Sequence, residues 1–475
     1  MINNYLAAQI KEKFPFEPTE EQEISIKMLS QFIVSSGSRD VFVLRGYAGT
    51  GKTTLVGALV KALESVHVRS LLMAPTGRAA KVFSSYSGAP AYTIHKRIYR
   101  QKSILNSLVF TLSENLYKNT LFIVDEASMI ADAGSSGFGS GRLLDDLIQF
   151  VYSGEGCHLL LLGDTAQLPP VGESESPALS SSRLASYGLQ VVEAQLTQVM
   201  RQLQESGILF NATCLRQNIM EGASGKVPVI AFKGFSDIVQ LPGNELMERL
   251  SGCYDSDGVE DTIVVCRSNK RTLIYNNGIR GRILYREEEL NAGDYLMVVK
   301  NNYYWTSHLP PEERPAGETV DFIANGDVAV VRRVVRYHQL YGFRFARVEL
   351  SFPDYNDLEM ETLIVMDTLQ SESPALTREE SERLFQAVLA DYADIHSKRE
   401  QMKRLRENPY FNALQVKYAY AVTCHKAQGG QWKNVFVDQG YVPADSLSSD
   451  YYRWLYTAFT RASRNLYLVN WKNPE

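Results

Sequence analysis

The chain has 475 residues, 45% of them hydrophobic and 22% charged, with a formal charge of −5, the make-up of a globular chain of two to four domains that each bury a core. No apolar run approaches the roughly 20 residues that cross a bilayer, and Met1-Ile2-Asn3-Asn4 opens no secretory signal, so a cytoplasmic protein with no membrane partner is expected. The five scattered cysteines lack C-x-x-C spacing and nearby histidines, which excludes a disulfide framework and a zinc site; the acidic balance excludes a uniformly basic coat but leaves room for one basic channel.

In chain order, Thr19 and Gln22 have the spacing of a capping box at a helix start. The Gln22 amide can also donate and accept at once, as an adenine reader must, and spacing alone favours the cap. The apolar run Val41-Phe42-Val43-Leu44 leads into Gly46-Tyr47-Ala48-Gly49-Thr50-Gly51-Lys52-Thr53-Thr54, with the spacing G-x-x-x-x-G-K-[ST] ahead of a helix-like run from Leu55 to Leu63. A strand, a glycine-rich turn and a helix start in that order make a phosphate cradle. The backbone amides of the loop face the anion, Lys52 reaches the β- and γ-phosphates, and the Thr53 hydroxyl holds Mg²⁺. ATP and Mg²⁺ are the cofactors implied.

A second strand, Ser70-Leu71-Leu72-Met73, runs into Ala74-Pro75-Thr76-Gly77-Arg78-Ala79-Ala80-Lys81 and sets Thr76, Arg78 and Lys81 at the carboxyl edge of a parallel sheet. Amides at such a helix start can hold a nucleic-acid phosphate, and a solvated helix face is an equal reading. Tyr92-Thr93-Ile94-His95-Lys96-Arg97 mixes basic and aromatic side chains suited to phosphates and stacked bases. Residues 99–120 break the strand–helix rhythm and read as an inserted hairpin whose apolar residues, Phe110 among them, either pack at home or wedge between base pairs. Leu121-Phe122-Ile123-Val124 then delivers Asp125, a Mg²⁺ ligand through the ion's water shell, and Glu126, which orients and deprotonates an attacking water. The Gly/Ser loop 133–141 carries no chemistry. A further strand, His158 to Leu162, places Asp164 on the magnesium side and Gln167 as a sensor of the γ-phosphate, and Arg201 falls at the close of the first domain.

A second strand–helix set begins at Asp261 to Arg267, is interrupted, and resumes at Val416 to Gly429, with strands at Asn434 to Val437 and Asn465 to Val469. Tyr456 to Ala462 reads as a helix with Arg461 near its end. The interruption, about 285–410, holds short strands at 295–299, 327–331, 343–348 and 362–365, with Asn325-Gly326 as a tight hairpin turn, and a small β-barrel fits. Thr377 with Glu380 makes a capping box before an apolar stripe, Leu384, Phe385, Val388, Leu389 and Tyr392. Trp305 beside Tyr303 and Tyr304 is equally a core residue or a stacking surface for a strand.

Seven segments, Gly46 to Thr54, Ala74 to Val82, Val124 to Ser128, Gly163 to Val171, Val199 to Gln202, Thr423 to Gly429 and Tyr456 to Ala462, stand in an order that resembles the superfamily 1 helicases, closest to the superfamily 1B branch of RecD-like and Dda-like enzymes with a UvrD-like C-terminal helicase domain. The resemblance implies an α/β fold of two RecA-like P-loop NTPase domains, parallel sheets flanked by helices, with a β-hairpin pin and an SH3-like barrel plus helical insertion. It divides the chain into a first domain at 1–200 with the hairpin at 99–120, a second at 201–284 and 410–475, and an insertion at 285–409 made of a barrel near 290–368 and helices near 376–408. It makes Gln22 the adenine reader and Arg201 and Arg461 the γ-phosphate arginines, joining Lys52, Glu126 and Gln167 in catalysis. Pro75, Thr76, Gly77, Arg78, Lys81, Thr93, His95, Thr423, His425 and Lys426 become strand contacts.

The activity implied is an ATP-dependent DNA helicase moving 5′ to 3′ on single-stranded DNA. Its partners are single strands and single-strand/duplex junctions, with replication or repair proteins beside them, and it acts as a monomer. The alternative is an RNA-directed or protein-displacing translocase ATPase with little unwinding. A GTPase needs N-K-x-D, and Asn269-Lys270-Arg271-Thr272 lacks the aspartate.

Overall fold

Runs such as Val41 to Leu44 and Leu159 to Leu162 show no polar alternation because a parallel strand is covered on both faces. In the computed structural model, which describes residues 2–35, 37, 39–104, 107–132, 140–199, 205–308 and 322–474, they are central strands of a six-stranded parallel sheet. Its order is Ala91–Thr93, Arg69–Ala74, Thr120–Val124, His158–Gly163, Asp40–Gly46, Gln190–Leu196. Phe42 and Leu44 point to one face, where helix Lys52–Ser65 buries Leu55, Val56, Leu59 and Leu63. Val41 and Val43 point to the other, against Leu144, Leu147 and Val151 of helix Leu143–Ser153. The expected hairpin is present: Tyr99–Ile104 pairs antiparallel with Ser107–Leu112, and Gln101 stands opposite Phe110. The Phe110 side chain, on which the wedge expectation falls, lies outside the described residues.

A second, five-stranded parallel sheet runs Ala421–Thr423, Thr262–Cys266, Trp432–Asp438, Ala462–Val469, Ile238–Leu241. The barrel is closed by Tyr295–Val298, Val328–Leu340, Phe343–Phe352, Leu358–Val365 and Leu414–Tyr418. Two expectations differ here. Val416 to Tyr418, read as the return to the second sheet, instead pairs with Tyr295–Val298, while Leu414 and Gln415 of the same strand pair with Ile364 and Val365 and close the barrel; the return begins at Ala421. The tight hairpin turn lies at Tyr341-Gly342, with φ of +57° and +74°, whereas Asn325-Gly326 forms the turn that leads into Val328–Leu340, where the Asp327 N–H donates to Ala324 O at 3.1 Å. The Thr377–Glu380 capping box is formed, and helix Arg378–Ala390 lays Leu384 and Val388 on Phe343, Phe345, Leu363 and Val365 of the barrel. No helix among the described residues is long and apolar enough to cross a membrane.

One buried ion pair fastens the barrel to the second sheet. Arg280, on helix Asn269–Arg282, holds Asp294 through Nε at 3.0 Å and Nη2 at 2.8 Å, and its guanidinium lies 4.4 Å from the Tyr418 ring centroid. Asp294 is fully buried and also accepts from the Tyr420 hydroxyl at 2.9 Å. Replacing Arg280 by alanine strands that carboxylate, and a loss of about 3–5 kcal/mol is expected, read as a lowered denaturant midpoint of the unit spanning barrel and second sheet.

Candidate nucleotide cleft and nucleic-acid face

The phosphate loop is shaped by its glycines. Gly49 and Gly51 sit at φ of +75° and +76°, the left-handed region, and a Cβ on Gly46 would lie 3.1 Å from the Lys52 Cβ. Gly51 caps helix Lys52–Ser65 without a side-chain hydrogen bond, which leaves the first-turn amides for an anion, next to Thr53 and Thr54. Gln22 is 1% exposed, and both ends of its amide are engaged. Oε1 accepts the Thr19 N–H at 2.9 Å, completing the cap, while Nε2 donates to Thr50 O at 2.9 Å and ties that helix to the loop.

Asp125 and Glu126 follow strand Thr120–Val124. The Asp125 carboxylate is held by the Tyr86 hydroxyl and by the Glu126 N–H at 2.8 Å. Glu126 adopts φ +52°, which turns its side chain into the cleft, where Oε2 is buried without a partner, as is Gln167 Oε1. Burial pushes the Glu126 carboxyl above its usual range, against the pull of Arg461 and Lys52. Arg461, 3% exposed, comes from the second sheet's lobe; Nη1 lies 3.9 Å from Glu126 Oε1 and donates to Gly430 O at 3.2 Å, while Nε donates to Thr457 O at 3.1 Å. The helix expected to carry it ends at Phe459, so Arg461 stands just past the helix. Lys52 and Arg461 both act on Asp164 as well as on Glu126, which puts the two cations in one crevice. Buried, unpartnered oxygens beside two cations, with the Thr53 hydroxyl and Asp125 carboxylate as hard oxygen donors, fit a magnesium-bound nucleoside triphosphate. Arg201 lies outside the described residues.

The lobes meet through polar contacts that the sequence reading did not single out. The Leu168 N–H donates to Thr457 Oγ1 at 2.8 Å, Gln428 Nε2 to Leu168 O at 2.7 Å, and the Ala48 N–H to the Tyr456 hydroxyl at 2.9 Å. The one available signal was that Tyr456 heads a segment already marked as a motif.

The residues assigned to a strand gather where the first sheet, the second sheet and the barrel converge. Thr76 caps helix Gly77–Ser87 and Thr93 caps Ile94–Ile98, so both hydroxyls serve the backbone here, beside Pro75 at the end of its strand. The Arg78 guanidinium lies 4.0 Å from the Trp432 ring centroid. Three contacts come from two barrel loops: Lys81 Nζ meets Asp354 at 3.1 Å, Lys426 donates to Asn325, and Asp327 Oδ1 sits where a Cβ on Gly77 would be only 2.7 Å away. A cavity of about 180 Å³ lies beside the Lys81–Asp354 contact, lined by Lys81, Tyr92, Lys96, Phe322 and Tyr355. Burial pushes the His95 imidazole down to about 4 and the Lys426 ammonium down to about 8; His95 is therefore a neutral ring near physiological pH. Thr423 and the exposed His425 flank Cys424 on the second sheet's rim. Trp305 is half-buried between barrel and helices and donates its indole N–H to Asn412 O at 2.9 Å.

Residues 27–224 match the family described as AAA domain, and residues 418–469 the UvrD-like helicase C-terminal domain. The chain is similar to the ATP-dependent DNA helicase dda of Enterobacteria phage T4, 24% identical over 413 residues, with 83% of this chain and 86% of that protein covered. It is 33% identical over 168 residues to the ATP-dependent RecD2 DNA helicase of Deinococcus radiodurans, a match that covers 35% of this chain and 20% of that longer protein. A Pif1 helicase from Bacteroides, in complex with ADP-AlF3 and single-stranded DNA, superposes with a TM-score of 0.48 at 14% identity, covering 96% and 93% of the two chains.

Proposed function

We propose, for a chain that belongs to the superfamily 1B helicases, that it hydrolyses ATP to move 5′ to 3′ along single-stranded DNA and separate the duplex ahead of it. The observation that supports this most directly is the meeting of Arg461 with Glu126 at 3.9 Å across two lobes, beside the phosphate loop. In this reading Lys52 and the loop amides hold the β- and γ-phosphates, and Arg461 meets the γ-phosphate from the other lobe. Glu126 takes the proton of a water that Gln167 helps to place. Mg²⁺, held by Thr53 and Asp125, would neutralise charge on the phosphates. Arg201 joins as a second γ-phosphate arginine.

Closure of the cleft on ATP and opening after hydrolysis change the spacing of Pro75 to Lys81 on one lobe relative to Thr423 to Lys426 on the other. A strand gripped by both is thereby stepped along. Each base-pair step costs about 1.4 kcal/mol of stacking, well within what one ATP supplies. The test is unwinding of partial duplexes carrying a 5′ or a 3′ single-stranded tail, with ATP and Mg²⁺. Unwinding of the 5′-tailed substrate alone is expected. ATP-dependent unwinding of neither substrate overturns the proposal, and stronger stimulation of ATPase by RNA than by DNA turns it toward an RNA-directed translocase.

A further inference from the structure

Helix Ser449–Phe459 is buried along its later turns, yet beside Thr457 Oγ1 it keeps a second polar atom there, the Tyr456 hydroxyl. The Tyr456 hydroxyl accepts the Ala48 N–H of the phosphate loop at 2.9 Å and donates to Asp164 Oδ2 at 2.5 Å. The other Asp164 oxygen takes the Ala166 N–H at 2.9 Å. A buried hydroxyl is costly unless paired, and this one uses both its donor and an acceptor position, each on the lobe opposite its own. The helix is also in touch with the segment assigned to the strand: the Cys424 thiol, at the start of helix Cys424–Ala427, reaches Trp454 O at 3.5 Å, two residues before Tyr456. A displacement of Thr423 to Lys426 therefore has a packed route of one helix to the phosphate loop.

We propose that Tyr456 is a positioning residue through which a strand held at Thr423 to Lys426 sets the phosphate loop and Asp164 for hydrolysis, so that its hydroxyl carries part of the stimulation of ATP turnover by nucleic acid. This deepens, and rests on, the helicase reading. The phosphate loop must hold the reacting atoms in close register, and an anchor on Ala48, between Gly46 and Gly49, acts directly on its backbone. Arg461 supplies charge from the same segment; Tyr456 supplies register.

Tyr456→Phe keeps the buried ring and removes only the oxygen. In the full chain, with ATP, Mg²⁺ and a single-stranded DNA oligonucleotide, the stimulated kcat is expected to fall about tenfold, while the KM for ATP and the Kd for the oligonucleotide stay within about twofold. Asp164→Asn alone lowers kcat as well, and in the double variant the two losses combine to less than their product, because both variants touch the hydrogen bond between Tyr456 and Asp164. An unchanged kcat, a loss carried wholly by KM, or losses that multiply in the double variant overturn the proposal. So does a Tyr456→Phe chain that melts far below its parent, since the hydroxyl is then structural. Failure of the helicase reading is separate: it shows as an unsubstituted chain whose ATPase nucleic acid does not stimulate.

Discussion

Arg461→Ala lowers DNA-stimulated ATP turnover by about 10³- to 10⁵-fold, the range for an arginine that meets a γ-phosphate from across a cleft. The guanidinium is already aimed. Its Nε, Nη1 and Nη2 donate to Thr457 O, Gly430 O and Thr460 Oγ1, and Nη1 also faces Glu126 Oε1 at 3.9 Å. Such fixed donors stabilise charge that develops in the transition state without reorganising when it appears. ATP affinity should change far less, because the loop amides and Lys52 belong to the other lobe. The measurement is kcat at saturating single-stranded DNA beside a titration with a fluorescent nucleotide, and turnover within tenfold of the parent would remove Arg461 from the chemistry. Lysine at this position is not expected to rescue, since a point charge cannot use the same two carbonyl anchors while facing the phosphate.

Glu126→Gln is the second large effect: ATP still binds, and turnover falls by about 10²- to 10⁴-fold, the share a positioned general base supplies. The exchange keeps size and hydrogen-bonding reach and removes basicity. The buried Oε2 has no partner among the described residues, so it is available to a water. Burial pushes its proton affinity upward against the pull of Arg461 and Lys52, which makes it a stronger base than an exposed carboxylate. Single-turnover hydrolysis by pre-bound ATP isolates this step; a normal rate there would take the proton-accepting role away from Glu126.

The nucleotide cleft was legible because its parts are local. The loop from Gly46 to Thr54 and the carboxylates Asp125 and Glu126 are each short strings after an apolar strand, and the strand–turn–helix context travels with them. What depended on distant pairing was not legible. Leu414–Tyr418 alternates apolar and polar residues, the pattern of a barrel strand, but two residues later the buried Ala421–Thr423 of the second sheet begins; the break between them is set by Tyr295–Val298 and Leu358–Val365, which stand more than a hundred and about fifty residues away. The edge strands Gln190–Leu196 and Ile238–Leu241 went unread because one is largely polar on its open side and the other is only four residues long. Tyr456 escaped for the same reason as the barrel strand, since both its partners lie on the other lobe. At Gln22 spacing pointed to the cap, and the cap is formed; the bond to Thr50 O is a tertiary fact that spacing cannot contain.

The two barrel loops that reach Lys81, Lys426 and Gly77 give the proposed DNA track an unusual ionic-strength behaviour. A lysine already neutralised by Asp354 gathers few small counterions, so seating a phosphate on it exchanges one anion for another and frees almost none. Binding should then weaken with added salt less steeply than the number of basic residues along the track suggests, and Asp354→Asn should make that dependence steeper while tightening binding in dilute buffer.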